Sequence, residues 1–246
     1  MASTDWNTLT DGLATASLVR GVTGSPTPPN GGGSFIYGMR SVVAVTGAAG
    51  LYTAQADYAP IVAGAGGPPV SVGGVSIRGA IMRGTSLAEG FAPMFFVALQ
   101  GASVNDEGYI IGLEDTAPHR VVVRKGRVVD GVPMATSLNS LLRSQETKNL
   151  GEWWHIRLDQ IVNLAGDVVL RAYENDLSTY PVSAPVWEEM EMDGANDGVG
   201  GFIDDALGAN SGSLPYDSGG YVGFGMQVSQ LTRRGYWDHI EIARQI

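Results

Sequence analysis

Glycine and proline, more than any other residues, limit what this chain can fold into. Thirty-five glycines and twelve prolines punctuate its 246 residues, and between them stand short runs in which apolar and polar residues alternate. Glycine costs about 1 kcal/mol at each helix-interior position, whereas between short strands it supplies the turns. Aperiodic spacing excludes collagen, and recurring apolar segments exclude simple disorder. Strands are predicted over 34–45, 50–58, 76–83, 92–100, 107–114, 119–125, 152–164, 167–175, 220–229 and 235–243. That spacing of short strands and turns predicts an all-β, antiparallel, two-sheet sandwich.

Two segments depart from the pattern. Residues 138–148, SLNSLLRSQETK with its neighbours, are the one stretch expected to form a short helix. Residues 1–33 read as an extended N-terminal arm, with a helical turn or two around Trp6 to Leu18, followed by GVTGSPTPPNGGGS, too rich in proline and glycine to pack on itself. The expected organisation is therefore an arm over 1–33 and a sandwich domain over 34–246.

The clearest hairpin joins EWWHIRLDQIV to VVLRAYEND. Side chains alternate faces along a strand, so Trp154, Ile156 and Leu158 share one face and His155, Arg157 and Asp159 the other. Adjacent Trp153 and Trp154 must then point to opposite sides. Arg157 and Arg171 fall on one side of neighbouring strands, where direct opposition of like charges is unfavourable. They are expected to be offset, or paired with Asp159, Glu152 or Glu174.

Charge and composition exclude several functions. The net charge is −10 and the basic residues are scattered, the reverse of the footprint that nucleic acid binding leaves. No apolar run approaches the roughly 20 residues needed to span a bilayer as a helix. The absence of cysteine removes thiolate metal sites, thiol nucleophiles and disulfides, and favours assembly in a reducing cytoplasm. The first residues, MASTDWNTLTDG, lack the basic start and apolar stretch of a secretory signal.

No catalytic motif is strong. His119, His155 and His239 show neither HxH nor HExxH spacing, and the two strand histidines are expected to be half-buried structural residues. A glycosidase needs two carboxylates across one cleft, and Glu189, Glu191 and Asp193 alternate in VWEEMEMDG, but the run breaks into a glycine-rich loop. GGYVGFG and VTGAAG lack the following helix that dinucleotide binding requires, and no GxSxG elbow occurs. The loop DGANDGVGGFIDD offers Asp193, Asn196 and Asp197, with Asp204 and Asp205 beyond, as oxygen ligands for a calcium site; an ordinary surface loop is the simpler reading. Trp153, Trp187 and Trp6 are the expected contacts for a partner protein or a glycan, because exposed amphipathic rings are frequent anchors.

The C-terminal half resembles the laminin-G-like, concanavalin-A-like jelly roll. The residues that carry this are Gly151, Trp154, His155, Ile156 and Leu158, then Gly166 to Tyr173 with Asn175, and finally Gly235, Tyr236, Trp237, Asp238, Ile240 and Ile242. That fold hosts lectins, glycosidases, adhesion modules and viral coat parts, so it implies architecture more than activity. More loosely, TDWNTLTDG, PPNGGGSFIYG, SVNDEGYIIGL and FIDDALGANSGSLPYDSGGYVGFG resemble small virion proteins of tailed bacteriophages. That resemblance implies a non-enzymatic structural protein of the virion, assembled in the host cytoplasm. The expected role is that of a capsid decoration or head-associated protein, a homo-oligomer that packs on other virion proteins. The alternative is a tail or baseplate component, or a lectin-like module for host-surface glycans. No cofactor is expected apart from possible calcium, and no nucleic acid or membrane partner.

Overall fold

The computed structural model describes residues 6–11, 19–20, 37–40, 48–54, 73–83, 94–99, 107–113, 119–127, 142–144, 147, 149, 151–162, 167–175, 186–192, 201–204, 221–228 and 234–245. In chain order the strands are β1 (Trp6–Asp11), β2 (Val19–Arg20), β3 (Tyr37–Arg40), β4 (Ala48–Ala54), β5 (Gly73–Arg83), β6 (Met94–Leu99), β7 (Glu107–Leu113) and β8 (Val121–Arg127). They continue as β9 (Leu142–Arg143), β10 (Trp153–Val162), β11 (Val168–Asn175), β12 (Trp187–Glu189), β13 (Glu191–Met192), β14 (Phe202–Asp204), β15 (Tyr221–Val228) and β16 (Arg234–Gln245). No helix occurs among the described residues.

The strands form two antiparallel sheets of a jelly-roll sandwich. One runs β1-β4-β15-β6-β7-β8-β9-β13; the other runs β12-β11-β10-β5-β16-β3-β2, with β14 also paired to β11. Each of the ten predicted strands is present. Residues 142–143, expected within a helix, instead pair with β8 and β13. Ser144 completes that link, its N–H donating to the Val121 carbonyl at 2.8 Å and its Oγ accepting from the Val121 N–H at 3.2 Å. A serine-rich stretch has little helix propensity to set against a strand with an open edge. The helical turn expected around Trp6 is likewise replaced by β1, which pairs with β4, while β2 pairs with β3. The stretch expected as an arm therefore places a strand in each sheet.

The core lies between the sheets and is built by period-2 alternation. From β10 and β11 it takes Trp154, Ile156, Leu158, Val168, Leu170 and Ala172; the facing sheet supplies Phe95, Val97, Tyr109, Ile111, Val123 and Phe224. Burial of each large side chain contributes about 1.5–3 kcal/mol. Trp237 sits at the centre. It is fully buried, packs on Phe224 with ring centroids 5.3 Å apart, and its indole N–H donates across the sandwich to the Met94 carbonyl at 3.2 Å.

Two features go beyond a simple two-layer arrangement. Met94, Phe96, Leu99, Ile110 and Val122 point away from this core yet form a second buried apolar cluster on the outer face of the first sheet. On the other sheet, the pairing of β16 with β5 shifts between Asp238 and Glu241, a β-bulge in which His239 adopts a φ of 50°. Gly79 faces the bulge. A Cβ there would lie 2.9 Å from Phe95 Cζ and 3.1 Å from the Asp238 carbonyl oxygen, so a larger residue would force Phe95 and the bulge backbone to shift. The bulge turns Ile240 into the core and returns Glu241 to the outer face.

Candidate functional site

The outer face of the second sheet gathers polar and aromatic side chains in register. Register across five strands lines up Trp187, Asn175, His155, Ala80 and Asp238 in one row. The next row holds Glu189, Tyr173, Arg157, Arg78 and Glu241. A third begins Arg171, Asp159, Ser76. Trp153, Met82 and Tyr236 close the face at one end as a small apolar cluster.

The face has a buried polar floor and a half-exposed rim. His155, Asp159, Asn175, Asp238 and Ser76 are buried, although they point away from the core. Trp187, Arg157, Tyr173, Arg171 and Arg78 are intermediate in exposure. The Trp187 ring lies 4.7 Å from the His155 ring, tilted by 45°. Asn175 Nδ2 lies 3.4 Å from His155 Nδ1; with the amide donating, the neutral imidazole carries its proton on Nε2. Burial, then the Arg78 charge and then His239 lower the pKa of His155 to about 4, so the ring is neutral at pH 7.

The arginines are held by carboxylates and aromatic rings. Arg157 Nε and Nη2 donate to the two oxygens of Asp159 at 2.7 and 2.5 Å, and this bidentate pairing is the first cause of its raised pKa. The same guanidinium stands 5.1 Å over the Tyr173 ring, a cation–π geometry. Arg171 lies 3.7 Å from Glu189, and hydrogen bonding to Tyr173 is the first cause of its raised pKa. Arg78 donates to Glu241 Oε2 at 2.9 and 2.5 Å. At the bulge, the His239 N–H donates to Asp238 Oδ1 at 2.9 Å.

The residues singled out from sequence fall as follows. Trp187 is on this face, at its β12 edge, and Trp153 caps its end against Met82 and Tyr236. Trp154, its neighbour, is in the core. The side chain of Trp6 lies outside the described residues, as do Asp193, Asn196 and Asp197 of the candidate calcium loop. Asp204, considered with that loop, is buried inside the sandwich. Among the described residues no group of three or more histidine, aspartate or glutamate side chains could hold a metal. Glu189 and Glu191 do not share a strand: Glu189 belongs to β12 of one sheet and Glu191 to β13 of the other. Between them Met190 is buried and its N–H donates to the Ala172 carbonyl at 2.8 Å. The alternating acidic run is thus split where the chain crosses the sandwich.

Arg157 and Arg171 are offset by one residue pair, with Arg157 on Asp159, as the alternation implied. Arg78, Asn175, Tyr173 and Glu241 were not singled out from sequence as site residues. Arg78 and Glu241 are 163 residues apart, and only the β5–β16 register brings them together.

No protein-family model matches the chain, and no curated protein does. Solved structures do match. The cellulose induced protein Cip1 aligns with a TM-score of 0.49 at 15% identity, covering 99% of this chain and 93% of that one. A lectin from Bauhinia forficata in complex with GalNAc aligns at 0.47 and 11%, covering 100% and 94%. The carbohydrate binding module CBM66 from Bacillus subtilis aligns at 0.43 and 10%, covering 97% and 94%. None of these three is named as a virion protein.

Proposed function

We propose that this chain is a non-enzymatic carbohydrate-binding domain whose ligand lies on the outer face of the β12-β11-β10-β5-β16 sheet. The observation that carries the reading is the Trp187–His155–Asn175 row beside the Tyr173–Arg157 pair. A sugar ring has an apolar C–H face and a rim of hydroxyls that both donate and accept. The half-buried Trp187 and Tyr173 rings offer apolar faces to the first. Around them Arg157 and Arg171 are donors and Glu189 an acceptor for the second.

The groups are pre-positioned. Each arginine is fixed by a carboxylate or a ring, and His155 is held neutral, so little side-chain freedom remains to be lost on binding. The separation of Glu189 and Glu191 onto different sheets supports binding over hydrolysis, which needs two carboxylates across one cleft.

A glycan array of the full chain, with and without calcium, followed by calorimetry on the hits, tests the reading. Saturable binding weakened at least about tenfold by Trp187→Ala is the expected result. No binding to any glycan under either condition, or binding indifferent to both Trp187→Ala and Tyr173→Ala, overturns it.

A further inference from the structure

Inside the sandwich, away from the outer face just described, a lysine and an aspartate from opposite sheets meet in a buried environment. Lys125 Nζ of β8 lies 2.6 Å from Asp204 Oδ2 of β14, with side chains 3% and 0% exposed. The Tyr109 hydroxyl of β7 donates to the same oxygen at 2.6 Å. The other oxygen, Asp204 Oδ1, is buried without a hydrogen-bond partner. Two donors therefore converge on one oxygen while the second is left bare.

A permanent ion pair is a poor fit for that arrangement. Desolvating both charges costs several kcal/mol per ion, offset only where the remaining lone pairs are satisfied. The asymmetry suits a condensation instead. The geometry points to an intramolecular amide bond between Lys125 Nζ and Asp204 Cγ, a covalent cross-link between the two sheets.

The step balances without a co-reactant. One proton passes from the ammonium to Oδ2, the oxygen it contacts, leaving a neutral amine and a carboxylic acid. The amine lone pair attacks Cγ and the C–Oδ1 π pair moves onto Oδ1. A second proton moves from nitrogen to Oδ2, which the Tyr109 O–H holds by its hydrogen bond as it becomes the leaving group. The C–Oδ2 bond breaks, water leaves, and Oδ1 becomes the amide carbonyl. An ammonium and a carboxylate become an amide and water, with no change of oxidation state. The sandwich holds the two groups together continuously, which supplies the effective concentration the reaction needs.

Electrospray mass measurement of the purified, denatured full chain with peptide mapping distinguishes the amide from the ion pair. The expected mass, after any N-terminal processing, is lower than the sequence sum by one water, and digestion yields a branched peptide joining the segments that contain Lys125 and Asp204. Lys125→Met should show the full mass. Tyr109→Phe should retain the partners and lower the cross-linked fraction at early times by about tenfold or more. A wild-type mass at the full sum, or a lost water mapped elsewhere, such as an aspartate preceding glycine, overturns the proposal and leaves an ion pair only. The wild-type mass and map are sufficient by themselves, so the test stands even if a variant fails to fold.

Discussion

Arg157 on β10 and Arg78 on β5 stand directly opposite each other in register, and each is turned onto a carboxylate, Asp159 and Glu241 respectively. Two like charges at a cross-strand pair would otherwise be destabilising. Asp159 is buried and bidentate, whereas Glu241 is more than half exposed, so the two carboxylates are unequal.

Asp159→Ala is therefore expected to cost about 2–3 kcal/mol, because it leaves a half-buried guanidinium facing Arg78 without its partner. Glu241→Ala should cost no more than about 1 kcal/mol, as solvent screens that pair. Urea unfolding of the two variants checks the ranking; equal effects would contradict it.

His155 makes stability depend on pH. Its folded pKa, about 4, lies below the ordinary value of 6.5, so between those values the unfolded chain binds more protons and stability rises with pH. The contribution is complete above about pH 6.5, is lost as pH falls toward 4, and amounts to about 3 kcal/mol. Comparing urea midpoints at pH 7 and 4.5 for the parent and His155→Gln should show a smaller fall in the variant.

Gly79 should resist substitution for a reason confined to the bulge. Gly79→Ala is expected to destabilise by about 1–3 kcal/mol through overpacking. Adding Phe95→Leu should recover part of that loss relative to the sum of the single changes, since Phe95 Cζ is the nearest atom a Cβ would meet. Strict additivity in thermal unfolding would refute the account.

Phe96 tests the second apolar cluster. Although it points away from the inter-sheet core, it is fully buried, so Phe96→Ala should cost about 3–5 kcal/mol, as for a core phenylalanine. A cost below about 1 kcal/mol would show that the outer cluster is not a packed layer.

At the proposed glycan-binding face, Trp187→Ala should weaken binding by at least about tenfold, ~1.4 kcal/mol, with unfolding temperature little changed. Trp153→Ala, at the capped end, should leave affinity near the parent value. Parallel calorimetry of both variants discriminates the two tryptophans.

Period-2 alternation made the long strands legible: the alternation of Trp154, Ile156 and Leu158 with His155, Arg157 and Asp159 assigns both faces of β10 before any coordinates. Strands of two or three residues, such as β9, β12, β13 and β14, carry no period to read. They exist because a neighbouring strand offers an open edge, which is tertiary information. The same limit governs the sites. Arg157 on Asp159 could be anticipated because the two sit on one strand, whereas Arg78 on Glu241 and Lys125 on Asp204 depend on registers and layers set by the whole fold. Asp204 illustrates the difference: its sequence neighbours suggest a solvent-facing loop ligand, and packing turns it inward against Lys125 and Tyr109.

The crossing of the chain at Met190 bears on what the sheet borders offer to a strand from another molecule. Residues 187–192 supply β12 to the edge of one sheet and β13 to the edge of the other, so both borders on that side end in strands of three and two residues. Templated pairing between molecules needs a long, flat row of open backbone groups. With one stretch bordering both layers and β14 covering Val168–Leu170 of β11, an incoming strand finds few consecutive groups to hold along β12 or β13.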